Sequence, residues 1–261
     1  MNKIITLLLL AVMVQSCGNK NAIDKKGFQV NEIEENEEGE KVVGLPIDSL
    51  KMETQPKGVL MTKNVNHRLV PIYKVNYDKK TNLPFIGSNS FHSSYDENEH
   101  DDNNWNSNYM PGFSALSGYN LVNVSHYNYA EKIQHEFFNK PVLIKTLYYP
   151  AFSKDTLNGK IVQREYYMVS LYDEDTNKDG FINLKDLRRL YLFDVNGIFQ
   201  KELVPKAYSA MSSDYDSDND MMFVSSKLDK NQNGQIEIGE PTHIFWIDLK
   251  NPMNNGVQYK N

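Results

Sequence analysis

Hydrophobic and polar residues alternate in short blocks from about residue 60 onward. Runs rich in Val, Ile, Tyr and Phe are separated by clusters of Asn, Asp, Gly and Pro, a pattern typical of strands joined by turns. The runs predict strands at residues 69–76, 120–127, 142–149, 162–172, 190–195, 221–227 and 243–249. Short helices are predicted at residues 129–138 and 184–189, and the pattern of a long amphipathic helix is absent. The fold is therefore expected to be mainly β.

Two strongly polar stretches interrupt this pattern. Residues 93–108 are predicted to form a long surface loop. Residues 17–55 include an acidic run at 31–40 that has almost nothing to bury, so this segment is predicted to be a disordered tether. The folded β domain is then expected to span residues 56–261.

The first residues have the composition of an export signal. Residues 4–14 form an apolar run that is too short for a comfortable transmembrane span. The sequence Val14-Gln15-Ser16-Cys17-Gly18 resembles the lipobox of bacterial lipoproteins. The resemblance implies removal of residues 1–16 as a signal peptide and lipidation of Cys17, the only cysteine of the chain. An ordinary signal peptide followed by an incidental cysteine is the alternative.

The C-terminal half of the chain contains an internal repeat. Asp175 and Asp229 begin equivalent stretches, which gives a period of 229 − 175 = 54 residues. At that offset residues 167–169 align with 221–223, and each copy reads as strand, polar loop, strand and turn. The turn and strand at residues 194–205 are similar to blades of TolB-type β-propellers. The resemblance implies antiparallel blade-like repeats, but a closed propeller needs at least four blades, so an incomplete propeller and a β-sandwich both stay open.

The polar loop of the first copy, residues 175–186, resembles the twelve-residue EF-hand loop and, more closely, the calcium loop of dockerin modules. Calcium takes six to eight oxygen ligands, and Gly180 at position six permits the sharp turn that such a cage needs. The predicted ligands are the side chains of Asp175, Asn177, Asp179 and Asp186 and the main-chain carbonyl of Phe181. Ile182 at position eight is expected to make an apolar contact.

The loop of the second copy, residues 229–240, has the same spacing, with Gly234 at the turn. Its predicted ligands are Asp229, Asn231, Asn233, the carbonyl of Gln235 and Glu240. Two such loops in one repeat imply two calcium ions. The alternative is a pair of polar Asx-Gly hairpins that bind no metal.

The flanks of both loops are β-like rather than helical, so neither a calmodulin-like opening nor dockerin–cohesin pairing is expected. Asp186 is shorter than the usual Glu at position twelve, and the second loop has only Asp229 and Glu240 as charged ligands. Both features predict a modest affinity, on the order of 10⁻⁴–10⁻³ M, and a structural role for calcium. A further acidic cluster at residues 214–220 lacks the glycine of such a loop and is interpreted as a solvated turn, with a third metal site as the alternative.

Charge and motif content limit the other functions. The formal net charge of −6 argues against a nucleic-acid partner. His135-Glu136-Phe-Phe-Asn139 lacks the second histidine of a zinc-protease helix, and residues 112–116 lack the second glycine of a nucleophile elbow. No catalytic residue is therefore predicted, although paired carboxylates need no fixed spacing along the chain.

Together these features predict a calcium-binding lipoprotein of the cell envelope, anchored to the outer membrane on its periplasmic or surface face. It resembles EF-hand-containing lipoproteins of Bacteroidetes-type bacteria, through the lipobox and residues 120–255, a class whose membership implies no particular activity. The expected role is non-enzymatic, with a protein or glycan ligand. The alternatives are an envelope hydrolase on polysaccharide or peptide, with the loop at 93–108 lining a cleft, and protein docking through the calcium loops.

Overall fold

The computed structural model describes residues 27–30, 52–78, 81–87, 89–92 and 110–260. Within these ranges all regular structure is β and the strand pairs are antiparallel. The strands in chain order are β1 Gly27–Gln29, β2 Thr54–Pro56, β3 Leu60–Met61, β4 His67–Lys74, β5 Asn76–Tyr77, β6 Pro84–Phe85, β7 Asn89–His92, β8 Phe113–Gly118, β9 Leu121–Asn128, β10 Ile133–Glu136, β11 Leu143–Pro150, β12 Thr156–Leu157, β13 Lys160–Ile161, β14 Tyr166–Tyr172, β15 Phe181–Asn183, β16 Arg189–Asp194, β17 Phe199–Glu202, β18 Tyr208–Asp216, β19 Met221–Leu228, β20 Thr242–Asp248 and β21 Asn255–Tyr259.

The predicted strands are confirmed as β4, β9, β11, β14, β16, β19 and β20. The largest boundary difference is at 162–172, where β14 begins at Tyr166. Among the strands that the sequence pattern missed is β18, which carries a run of small and polar residues and has only three buried positions. Such an edge strand lacks the apolar alternation that a sequence pattern detects.

Both predicted helices are wrong. In the segment 129–138, Lys132 adopts a positive φ of 57° and closes a hairpin, and residues 133–136 form β10. His135 then pairs directly with His126 of β9. In the segment 184–189 the chain turns, because the Asp186 carboxylate accepts a hydrogen bond from the amide of Asn183 at 2.8 Å.

A large sheet and a smaller four-stranded sheet form most of the fold. The large sheet has the order β17-β16-β14-β11-β9-β4-β2, with β8 beside β11, β7 beside β8, β10 beside β9 and β3 beside β4. The smaller sheet has the order β18-β19-β20-β21. Both β11-β14-β16-β17 and β18-β19-β20-β21 are therefore antiparallel four-stranded meanders. The strand order in the described ranges does not close into a barrel.

The predicted repeat corresponds to these meanders, with one correction to its alignment. Arg189 pairs with Leu171 in the first copy, and His243 pairs with Ser226 in the second. The second strands differ by 243 − 189 = 54 residues, whereas the first strands differ by 226 − 171 = 55. The chain between the first strand and the loop is thus one residue shorter in the second copy.

Two hydrophobic clusters lie on opposite faces of β14, whose alternate residues point to opposite sides of the sheet. Tyr167, Val169 and Leu171 belong to one cluster with residues of β4, β9 and β11. Met168 belongs to the other, in which it packs with residues of the four-stranded sheet such as Met222 and Phe245. The two sheets therefore pack face to face, and β14 is buried throughout.

The predicted tether needs a correction at residues 27–30. These residues form β1 and pair with β15, with Gly27 opposite Asn183 and Phe28 opposite Ile182. Thr54–Pro56, at the end of the same segment, form β2 at the edge of the large sheet. The signal peptide, Cys17 and the loop at 93–108 lie outside the described residues.

Candidate metal centre

The first loop folds around the side chain of its first residue, Asp175. Its Oδ1 accepts the amide of Asp179 at 3.0 Å, and its Oδ2 accepts the amide of Gly180 at 2.8 Å. The Asp179 amide is also 3.0 Å from Oδ1 of Asn177. Oδ1 of Asp179 in turn accepts the amide of Phe181 at 3.1 Å. The side chains at positions one, three and five are therefore turned toward the same part of the loop.

The second loop repeats this network at the equivalent positions. Oδ1 of Asp229 accepts the amide of Asn233 at 3.1 Å, and Oδ2 accepts the amide of Gly234 at 2.9 Å. Oδ1 of Asn231 also accepts the amide of Asn233, and Oδ1 of Asn233 accepts the amide of Gln235, both at 3.1 Å. The sequence repeat thus corresponds to a repeat of side-chain geometry.

The backbone also repeats. Position four of each loop has a positive φ, 58° at Lys178 and 57° at Gln232. Position six is a glycine with a φ of 82° at Gly180 and 76° at Gly234. Left-handed residues at both positions let the chain reverse tightly around the side chains of positions one, three and five.

A carboxylate at position twelve closes each loop. The two oxygens of Asp186 accept the amides of Thr176 and Asn183, both at 2.8 Å. The two oxygens of Glu240 accept the equivalent amides of Lys230 at 3.1 Å and Glu237 at 3.0 Å. Each position-twelve side chain therefore joins the start of its loop to position nine.

The closing carboxylate of the first loop is buried without a counter-charge. Asp186 is 2% exposed, and no lysine or arginine in the described part of the chain forms an ion pair with it. Burial is the main cause that raises the pKa of Asp186 to about 6. Three amides and the Thr176 hydroxyl donate to the Asp186 carboxylate, and a cation bound beside it would add the opposite charge that a buried anion needs.

The donor set is made of oxygens only, which suits a hard cation such as calcium. No group of three or more His, Cys, Asp or Glu side chains is positioned to hold a metal in the described residues. Each loop depends on asparagine side chains and a main-chain carbonyl for part of its predicted ligand set. The residues fit calcium better than zinc, which prefers His and Cys.

The two loops touch, which the sequence did not indicate. The hydroxyl of Thr176, at position two of the first loop, lies 2.5 Å from the carbonyl oxygen of Gly234 and donates to it. The same hydroxyl lies 3.2 Å from Oδ1 of Asp186 and accepts the amide of Leu187 at 2.9 Å. One side chain thus links the closing carboxylate of the first loop to the turn of the second.

The acidic cluster at 214–220 covers the end of β18 and the turn into β19. The predicted turn is present at residues 217–220, but its last residue is buried rather than solvated. Asp220 is 4% exposed and forms a bidentate pair with Arg164, with N–O distances of 3.0 and 2.7 Å. Asp216 accepts the amides of Asp218 and Asn219. Because Asp220 already has a cationic partner, the cluster fits the turn interpretation better than a third metal site.

Three of the six histidines, scattered in the sequence, meet in the structure. Nδ1 of His67 lies 3.0 Å from Nε2 of His126, and the rings of His126 and His135 are 4.9 Å apart. Burial, and then the charges of His135 and His67, lower the pKa of His126 to about 4. No signal in the sequence brings His67 and His126 together.

A cavity of about 660 Å³ lies beside the large sheet and bears on the hydrolase alternative. Its walls include the carboxylates of Glu136, Asp173 and Glu202. Each has a partner: Asn123 donates to Glu136, the Tyr191 hydroxyl donates to Asp173 at 2.5 Å, and Lys206 pairs with Glu202 at 3.7 Å. The cavity is large enough for a small ligand.

A scan against models of known protein families and a search of curated proteins both find no match. In the part of the chain that the structure describes, there is no helix long and apolar enough to cross a membrane.

Proposed function

We propose that this chain is a calcium-binding lipoprotein of the cell envelope in which two calcium ions have a structural role. The main support is the repeat of one side-chain and backbone geometry in both loops. It is joined by the burial of Asp186, which accepts hydrogen bonds but has no lysine or arginine partner among the described residues. In a metal-free hairpin this buried carboxylate would be stabilised by its hydrogen bonds alone.

The ions would be held by the residues at positions one, three, five, seven and twelve of each loop. In the first loop these are Asp175, Asn177, Asp179, Phe181 through its carbonyl, and Asp186; in the second they are Asp229, Asn231, Asn233, Gln235 through its carbonyl, and Glu240. A bound calcium ion would supply the opposite charge that Asp186 does not receive from any lysine or arginine among the described residues. The chain's own contribution is to fix these oxygens in place through the shared amide network.

The lipid anchor at Cys17 would hold the protein on the outer membrane, with the domain on the periplasmic or surface side. This part of the proposal is supported by the lipobox-like sequence that ends at Cys17. The role is non-enzymatic, with a protein or glycan as the ligand. A Cys17→Ser variant is expected in the soluble fraction of fractionated cells, and its retention on membranes would contradict the anchor.

The two face-packed meanders support blade-like units for the finer architecture. Each consists of four antiparallel strands, with one of the two proposed calcium loops between the second and third strands. Face packing of two such units is compatible with both an incomplete propeller and a sandwich.

The test of calcium binding is a calorimetric titration of the full chain in detergent micelles. Two ions should bind, and the melting temperature should fall in chelator, because a ligand that binds only the folded state stabilises it. Asp175→Ala and Asp229→Ala should each remove about one ion. Glu165→Ala, which changes an exposed acidic residue outside the loops and the acidic cluster at 214–220, is the control. Unchanged stoichiometry in both loop variants would overturn the assignment.

The carboxylate-lined cavity favours a hydrolase as the second candidate function. Incubation with envelope polysaccharides and peptides, followed by mass spectrometry, tests it. Cleavage that is lost in Glu136→Gln and Glu202→Gln would support the hydrolase, and intact substrates would support the binding role.

A further inference from the structure

The first calcium loop carries a docked segment from the N-terminal part of the chain. β1 pairs with β15, which occupies positions seven to nine of that loop. Beyond the strand, the amide of Val30 donates to the carbonyl of Gly180 at 2.9 Å. At the other end, the amide of Gly27 donates to the Asn120 side chain at 2.9 Å. The segment therefore rests directly on the turn that surrounds the proposed ion.

The segment also contacts the loop through buried side chains, in addition to its backbone hydrogen bonds. Phe28 is 3% exposed and Val30 is 7% exposed, and both belong to a buried cluster with Ile182 of the loop. The rest of that cluster comes from β9, β11 and β14, through Val122, Leu143 and Tyr172. Gln29, between the two buried residues, is exposed. The loop residue Ile182 is thus shared by the segment and the main domain.

Gly27 allows a close approach at the start of the segment. It has a φ of +128°, and an added Cβ would lie 2.2 Å from the carbonyl oxygen of Ile182. A residue with a side chain would therefore collide with the loop. The fit between segment and loop depends on the position of the loop backbone.

Docking of this segment sets how far the domain can lie from residue 17. Only 27 − 17 = 10 residues separate Cys17 from β1, which can span about 36 Å at most. Without this docking the next fixed strand is β2, and 54 − 17 = 37 residues can span up to about 130 Å.

We propose that the edge of β15 is a calcium-dependent docking surface for residues 27–30, so that calcium in the first loop holds the domain close to its anchor. This inference rests on the proposed calcium binding. Asp175 accepts the amide of Gly180 at 2.8 Å, and Asp179 pairs with Lys185 at 3.7 Å. An ion held by both carboxylates would draw them to one point and so fix the backbone of residues 180–183. Binding and docking are then reciprocally coupled, since each favours the same loop conformation.

The test is the exchange rate of the Val30 amide, measured by NMR on the full chain in detergent micelles. Chelation of calcium should raise the rate roughly 5- to 150-fold, the usual range of coupling between sites. Asp175→Ala should raise it similarly in saturating calcium. Asp229→Ala, the matched change in the other loop, should raise it clearly less.

The reciprocal measurement uses calorimetry. Phe28→Ala should weaken calcium binding at the first loop by the same factor, whereas Gln29→Ala should not. Two ions bound with a Val30 exchange rate that is the same with and without calcium would overturn the docking proposal alone. The absence of any calcium binding would overturn the proposed function as well. The comparison of the native chain with and without calcium does not depend on the folding of a variant.

Discussion

Two glycines at equivalent loop positions are constrained differently. Gly180 and Gly234 both adopt a positive φ. A Cβ added to Gly180 would meet no atom within 4 Å, whereas a Cβ added to Gly234 would lie 1.8 Å from the carbonyl oxygen of Thr176. Gly180 is therefore needed for its backbone conformation alone, and Gly234 is also needed for the contact between the loops.

This difference predicts unequal effects of the same substitution. Gly180→Ala should lower the free energy of unfolding by roughly 1–2 kcal/mol, the cost of a left-handed conformation for a residue with a Cβ. Gly234→Ala should lower it by clearly more, because the Thr176 backbone has to move. Denaturant unfolding of both variants in calcium measures the difference. Equal losses would mean that the loops do not constrain each other.

At the scale of elements, three neighbouring strands bring their histidines together. His67 of β4, His126 of β9 and His135 of β10 are in contact, and His126 is 1% exposed. Asp194 raises the pKa of both His67 and His126. Glu131 raises the pKa of His67, and Arg68 lowers it. Burial outweighs the acidic groups, so His126 remains neutral in the folded protein at neutral pH.

The histidine cluster predicts a loss of stability in mild acid. The pKa of His126 is lowered from 6.5 to about 4 by burial, so between these values the unfolded chain takes up a proton that the folded chain does not. The free energy of unfolding is then constant above pH 6.5 with respect to this group. It falls by roughly 3 kcal/mol as the pH decreases to 4. Denaturant unfolding in calcium, measured at several pH values between 6.5 and 4, checks this decline in the free energy of unfolding.

His126→Phe is the variant for this measurement. Phenylalanine retains an aromatic ring beside Phe137 and Tyr167 but cannot be protonated. The variant should be less stable than the native chain at neutral pH, because His67 loses a hydrogen-bond partner. Its stability should decline less steeply between pH 6.5 and 4. A decline as steep as that of the native chain would assign the acid sensitivity to other groups.

Some elements of the fold can be predicted from the sequence and others cannot, for physical reasons. Strands buried in the sheet, such as β14 and β16, contain continuous apolar runs and were found. The hairpin at residues 129–138 resembles a helix in sequence, because over so few residues the spacing of apolar positions does not distinguish a helix from a strand. The loop spacing placed sharp turns at Gly180 and Gly234, where the structure has a positive φ, whereas calcium binding by the loops stays a prediction. The contact of Thr176 with Gly234 and the histidine cluster are tertiary, and spacing along the chain carries no signal for them.

At the scale of the whole molecule, the two sheets share one hydrophobic cluster. Met168 and Leu190 come from the large sheet, and Met222, Val224 and Phe245 come from the smaller one. Arg164 adds a buried polar link, because it pairs with Asp220 and donates to the carbonyl of Leu249 at 2.6 Å. Neither sheet could bury this face alone, so the two meanders are expected to unfold as one cooperative unit.

Met222→Ala tests this cooperativity, because Met222 is fully buried between the sheets. The substitution should lower the free energy of unfolding by roughly 2–5 kcal/mol. Hydrogen exchange should then accelerate by the same factor in peptides that cover β14 and β20, since a shared core opens as a whole. Met211→Ala, at a position of β18 that is 42% exposed, is the control and should change neither peptide. Acceleration in β20 alone would show that the four-stranded sheet opens independently, which would favour separate blades over a sandwich with one core.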